Sequence, residues 1–102
     1  MSYISTGVEY ALHSLLLLAQ SREQIESVSV GDLATLQRLS PDFLAKIFTK
    51  LQRASIVEAT EGAKGGFRLG RSPSLITVLD VVRAVDGSKP MFKCQERNLR
   101  IG

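Results

Sequence analysis

The sequence has little of the material that most chemistry needs. Its 102 residues include one cysteine, one histidine, three prolines and no tryptophan. The lone Cys94 cannot close an internal disulfide or build a four-thiolate metal site. The longest apolar stretch, Leu15 to Ala19, is far too short to cross a bilayer, so no membrane partner is expected. No signal peptide is visible, which points to a reduced, cytoplasmic chain. Repeats, low-complexity tracts and Pro-rich linkers are also missing. Enzymatic constellations are equally scarce. The single imidazole is His13, no hydrolase motif surrounds a serine, and no pair of carboxylates is marked for acid–base work. An enzyme is not expected.

What remains is an ordinary globular composition, 44% hydrophobic and 23% charged, which argues against disorder. A chain of 11.2 kDa encloses one modest core. Thirteen Lys and Arg against ten Asp and Glu leave a net charge of +3, compatible with an anionic partner without proving one. The charge is uneven. Residues 1–60 hold five basic and six acidic side chains, whereas residues 61–102 hold eight basic and four acidic. An anionic partner should therefore touch the second half, plus any basic stripe in the first.

Periodicity predicts a helix over Thr6 to Ser21, capped by Ser5 or Thr6, with Val8, Ala11, Leu12, Leu15, Leu16, Leu18 and Ala19 on its apolar stripe. Leu17 lies opposite that stripe, near Tyr10 and His13, and a partner subunit is one candidate for covering it. After a polar loop, Ser29 opens a short helix from Val30 to about Gln37. Gln37-Arg38-Leu39 is a tight connection, and Ser40-Pro41 restarts a helix that runs to about Arg53. Phe43, Leu44, Ile47, Phe48 and Leu51 form its apolar face. Asp42, Lys46, Thr49 and Arg53 lie opposite, with Lys50 at the edge.

Ile56 to Thr60 reads as a strand, Glu61 to Gly66 as a turn, and Phe67 to Leu69 as a returning strand. Glycines in the turn allow close backbone approach. A last helix, Thr77 to Val85, is opened by the capping pattern Thr77-x-x-Asp80 and ended by Gly87. The order helix, helix, tight turn, helix, hairpin, helix defines a winged helix-turn-helix, mainly α with a small β-hairpin (α+β).

In that fold the third helix is the candidate recognition helix for the major groove of double-stranded DNA, which is about 12 Å wide. Ser40, Asp42, Phe43 and Lys46 occupy the groove-entering positions, and Lys50 and Arg53 can reach phosphates. The same stripe could equally be the solvated face of an amphipathic helix. Following the helix, Lys64, Gly65, Gly66 and Arg68 make a thin basic wing suited to a minor groove or its phosphates. A phosphate-binding loop is the competitor, but the Gly-Lys-Ser/Thr pattern is missing. A winged-helix module for protein interaction, without DNA or metal, is the alternative reading and would require an apolar recognition face. Glu9 and His13 stand four apart on one helix face and can reach one metal, with Cys94 as a third donor. Their plain alternative is a surface Glu–His pair with an idle cysteine.

These residues together resemble the IscR/NsrR/CymR family of bacterial winged-helix transcription regulators. The likeness rests on Gly7-x-x-Tyr10-Ala11-Leu12, Ser40-Pro41-Asp42-Phe43-Leu44-x-Lys46-Ile47, Leu51-x-x-Ala54 and Gly62-x-Lys64-Gly65-Gly66-Phe67-Arg68-Leu69. Ile76-Thr77-x-Leu79-Asp80-Val81-Val82-x-Ala84-Val85-Asp86-Gly87 completes it. The resemblance implies a homodimer that binds a palindromic operator, usually to repress. It also implies, in the complete protein, an iron–sulfur cluster, [2Fe–2S] ahead of [4Fe–4S], or none in this chain. By resemblance, Asp42, Phe43 and Lys46 carry over as groove contacts and Lys64 to Gly66 as the wing tip. Ser5 and Thr6 fall where the first helix can meet a phosphate, and Cys94 falls at the first cluster cysteine.

The departures are as informative. Two further cysteines expected after Cys94 are absent, and the sequence stops at Gly102, before the long dimerisation helix of such regulators. Glu9 stands where many relatives are basic, and Ala45 where some carry a groove-reading acid. The expected division is a DNA-binding winged helix over 1–88 and the start of a truncated sensor loop over 89–102.

Overall fold

The computed structural model describes residues 4–21, 27–61 and 65–87. Helix α1 spans Thr6–Ser21, and Ser5 caps it by accepting the amide of Val8 at 3.2 Å. Val8, Ala11, Leu15 and Leu18 are buried along it. Leu16, expected on that stripe, is instead 39% exposed, while Leu17 is half-buried against the core. The buried arc of α1 is rotated toward the next helix. Ser14 is wholly buried there, donating to the Tyr10 carbonyl at 2.8 Å and accepting from Gln37 Nε2 at 2.8 Å. Leu17 is thus partly covered from within the chain.

Helix α2 runs Val30–Gln37, with the Ser29 hydroxyl accepting from the Asp32 amide at 3.0 Å. Arg38 then takes a left-handed conformation (φ 59°), and the Leu39 amide returns to the Ala34 carbonyl at 2.8 Å. This closes the end of α2 within two residues. Ser40 immediately caps α3, Pro41–Arg53, by accepting from the Phe43 amide at 3.0 Å. Two caps either side of one left-handed residue make the tight turn of a helix-turn-helix. Leu44, Ile47, Phe48 and Leu51 face the core from α3. Phe43, expected on that face, is 39% exposed.

A left-handed Ser55 and the bond from the Ile56 amide to the Leu51 carbonyl, 3.0 Å, turn the chain sharply after α3. Ile56, read as the first strand residue, is a buried residue of that bend. Strands β1, Val57–Thr60, and β2, Gly66–Leu69, pair antiparallel with Val57 opposite Leu69 and Thr60 opposite Gly66. A third segment joins them. Val28 exchanges both backbone bonds with Phe67, at 2.9 and 2.8 Å. The approach is so close that a Cβ on Gly66 would lie 2.5 Å from the Val28 carbonyl oxygen, which explains the glycine.

A single 3-10 turn, Pro73–Leu75, leads to α4, Val78–Asp86. Its capping box is complete: Thr77 accepts from the Asp80 amide and Asp80 from the Thr77 amide, both at 3.0 Å. Arg71, to which the sequence assigned no role, staples this region. Its guanidinium donates to the Ala54 carbonyl at 3.2 Å, the Leu75 carbonyl at 3.1 Å and Asp80 Oδ2 at 3.3 Å. One planar fork thereby joins the end of α3 to the start of α4. The core sits between α1, α3 and α4, centred on Leu15, Leu44, Phe48, Leu51, Ile56 and Val81.

Candidate nucleic-acid interface

The outer face of α3 is polar and mixed in chemistry. Ser40, Asp42, Ala45, Lys46, Thr49, Lys50 and Arg53 are all exposed, and Phe43 joins them. Lys46 and Arg53 make no hydrogen bond or ion pair among the described residues, so both cations are available to an anion. The Thr49 hydroxyl is spent on the Ala45 carbonyl at 3.0 Å. The Ser40 hydroxyl serves the helix cap. Phe43 does not float: its ring stands edge-on to Tyr10 of α1 at 6.1 Å and 85°, a favourable T-shaped geometry. Tyr10 in turn meets His13 at 6.2 Å and 82°.

Other expected contacts are placed differently. The Lys50 ammonium donates to the Val85 carbonyl of α4 at 3.0 Å. Arg68, on β2, pairs with Glu58 of β1 at 3.0 Å, with the two side chains about half exposed (48% and 50%). An exposed pair of this kind contributes about 0–1 kcal/mol and leaves Arg68 free to exchange partners. Ser5 donates to Asp86 Oδ1 at 2.9 Å besides capping α1, whereas Thr6 is exposed. Gly65 and Gly66 are half-buried at the wing base. Lys64 at the wing tip lies outside the described residues, as do Cys94 and the whole of 89–102.

Glu9 and His13 are both exposed on one side of α1. Among the described residues no three His, Cys, Asp or Glu side chains gather as a metal site. A carboxylate and an imidazole one turn apart fit as two donors, half of the usual four around an iron–sulfur cluster. Among the same residues no helix is long and apolar enough to cross a membrane.

The sequence reading missed Val28 and Arg71. The alternation Ser27-Val28-Ser29-Val30 carries a period-two signal that could have found the first. Arg71 has no local signal, because its three acceptors come from three separate segments.

Comparison with known proteins decides the family. Residues 4–100 match the Rrf2 family, described as iron-dependent transcriptional regulator. The chain belongs to the Rrf2 family. Among its relatives, the HTH-type transcriptional regulator IscR of Vibrio campbellii is 35% identical over 95 residues, covering 93% of this chain and 55% of the relative. The CymR global cysteine regulator of B. subtilis superposes with a TM-score of 0.76 at 33% identity, covering 85% of this chain and 67% of that one. T. potens IscR gives a TM-score of 0.79 at 27% identity, over 96% and 82% of the two chains. This Rrf2 chain spans about half to 60% of the length of the curated relatives it matches. The winged-helix expectation is therefore met by both the observed elements and the structural neighbours.

Proposed function

We propose that this Rrf2-family chain is the DNA-reading part of a transcription regulator, binding a palindromic operator as a dimer and repressing. The observation that carries the reading is the exposed start of α3. There Ser40 fixes the helix end, Asp42 and Phe43 present an acceptor and an apolar edge, and Lys46 is a cation without a partner among the described residues. These are the chemistries that read cytosine amino groups, thymine methyls and phosphates or guanine edges. The helix N-terminus itself favours a phosphate. Gly65, Gly66, Arg68 and Lys64 belong to a wing that would follow the backbone into the adjacent minor groove. Ser5 and Thr6 contribute at the start of α1, with Thr6 the freer hydroxyl. The protein-interaction alternative needs an apolar outer face on α3, where Asp42, Lys46 and Arg53 stand instead.

Binding is tested by fluorescence anisotropy on duplexes selected from a random pool, across salt concentrations. Lys46→Ala should weaken binding about equally on every sequence and reduce the log–log salt slope by about 0.9, the value of one phosphate contact. Unchanged affinity and slope would remove Lys46 from the interface. A wild-type chain that selects no sequence and shows no salt dependence would sink the reading.

The sensing part of the proposal gives Glu9, His13 and Cys94 as donors to an iron–sulfur cluster, [2Fe–2S] in preference. It is supported by the exposed one-turn spacing of Glu9 and His13 and by the iron dependence in the family's description. Remaining donors would come from a second copy or a longer chain. Such a group supplies a redox-active centre; Glu9 and His13 would anchor it to α1. Anaerobically purified protein should be coloured and contain iron, and His13→Ala should bleach it. Colourless, iron-free protein with unaltered DNA affinity would overturn this part alone.

A further inference from the structure

Lys50 behaves unlike the other cations of α3. It follows Lys46 by one turn, yet its Nζ is engaged 35 residues away, on the Val85 carbonyl at 3.0 Å. Val85 sits in the last turn of α4, where carbonyls have no partner within the helix. An ammonium there satisfies one of them and suits the negative end of the helix dipole. The same turn is held from its other side. Ser5 donates to Asp86 at 2.9 Å, and Gly7 leaves so little space that an added Cβ would lie 3.3 Å from Val85 Cγ1. Beside Lys50 a cleft of about 560 Å³ opens, lined by Arg53, Ala54, Val85 and Asp86, so its bond to Val85 spans the outer edge of the α3–α4 junction, beyond the packed core.

We infer that Lys50 is a positioning residue for DNA recognition: it sets the tilt of α3 against the end of α4 and touches no phosphate itself. The inference rests on the DNA-binding reading above. The bond to a part-buried carbonyl holds the ammonium at the α3–α4 junction, and a phosphate that drew it away would leave that acceptor without its charged donor. The groove-facing residues Asp42, Phe43 and Lys46 lie in the first half of α3. A small change of tilt at its far half therefore moves them together.

The test compares Lys50→Met, Lys50→Arg and Lys46→Met by salt-dependent anisotropy on a selected duplex, with amide hydrogen exchange measured on the free proteins. Lys50→Met should weaken binding roughly tenfold, the scale of one lost charged hydrogen bond, with its salt slope unchanged. Lys46→Met should instead lower the slope by about 0.9. Lys50→Arg, which can still reach the carbonyl, should recover most of the affinity. Exchange in the last turn of α4 should accelerate in Lys50→Met and stay unchanged in Lys46→Met. A slope lowered by about 0.9 in Lys50→Met would make Lys50 a phosphate contact and overturn the inference. Unaltered affinity in that variant would overturn it too. If wild-type protein binds no duplex, the DNA reading fails by itself, and unchanged exchange at α4 then refutes the strut independently.

Discussion

Gly66→Ala should lower the free energy of unfolding by roughly 2–3 kcal/mol, the upper part of the range for overpacking a tight site. The new methyl would sit 2.5 Å from the Val28 oxygen, 2.6 Å from its carbonyl carbon and 2.8 Å from the Ser29 nitrogen. All three are backbone atoms, so no side chain can swing aside. Relief requires β2 to part from Val28, which breaks the paired bonds between Val28 and Phe67. The wing would then lose its anchor to the segment before α2. Gly31→Ala is the control. It lies in α2, its added Cβ would meet only the Ser29 hydroxyl at 3.8 Å, and alanine is the better helix former by about 1 kcal/mol. Urea denaturation of the two variants should give shifts of opposite sign. Equal and small shifts would show that the Val28 contact does not constrain the wing.

Phe48→Ala should cost about 3–5 kcal/mol, enough to unfold much of a small domain at room temperature. Phe48 is fully buried on α3, and its ring lies 4.9 Å from that of Phe67 on β2 at a tilt of 55°. Through this contact α3 and the hairpin share one core. Phe48→Leu keeps most of the volume and should cost no more than about 1.5 kcal/mol. Thermal unfolding of both, with near-ultraviolet circular dichroism for the aromatic packing, checks the order. A Phe48→Ala protein as stable as wild type would mean that helix and wing do not depend on this contact.

Much of this architecture is legible because its signals are local. Ser29, Ser40 and Thr77 each bond an amide three residues on, so the helix starts at Val30, Pro41 and Val78 follow from neighbouring residues. Gly87, with φ 74°, ends α4 as expected, with Asp86 rather than Val85 as its last helical residue. The hairpin is readable from its glycines; the alternation around Val28 signals extended backbone, but not its bridge to Phe67, which is remote in sequence. The interface shows the same divide. Spacing places Asp42 and Lys46 on one side of α3 with Lys50 at its edge, yet only the folded chain shows that Lys50 bonds Val85 and Arg68 pairs with Glu58. By spacing, Phe43 belongs both to the apolar face and to the groove-entering positions. Its contact with Tyr10 at 39% exposure reconciles the two, an aromatic supported on one edge and open on the other. Leu16 is exposed and Leu17 partly buried, and the packed face of α1 includes a buried Ser14 bonded to Gln37. No periodicity count anticipates a serine at the centre of an interface.

On the proposed function, the start of α3 reads DNA from the major groove. Methylation interference at guanine N7, performed on a duplex selected by the chain from a random pool, tests it most directly. Interference is expected in two half-sites about 34 Å apart, or a multiple of that, arranged as a palindrome. Lys46→Ala should weaken the complex without moving these positions. Selection that yields no common sequence, or a complex indifferent to methylation throughout the major groove, would contradict it.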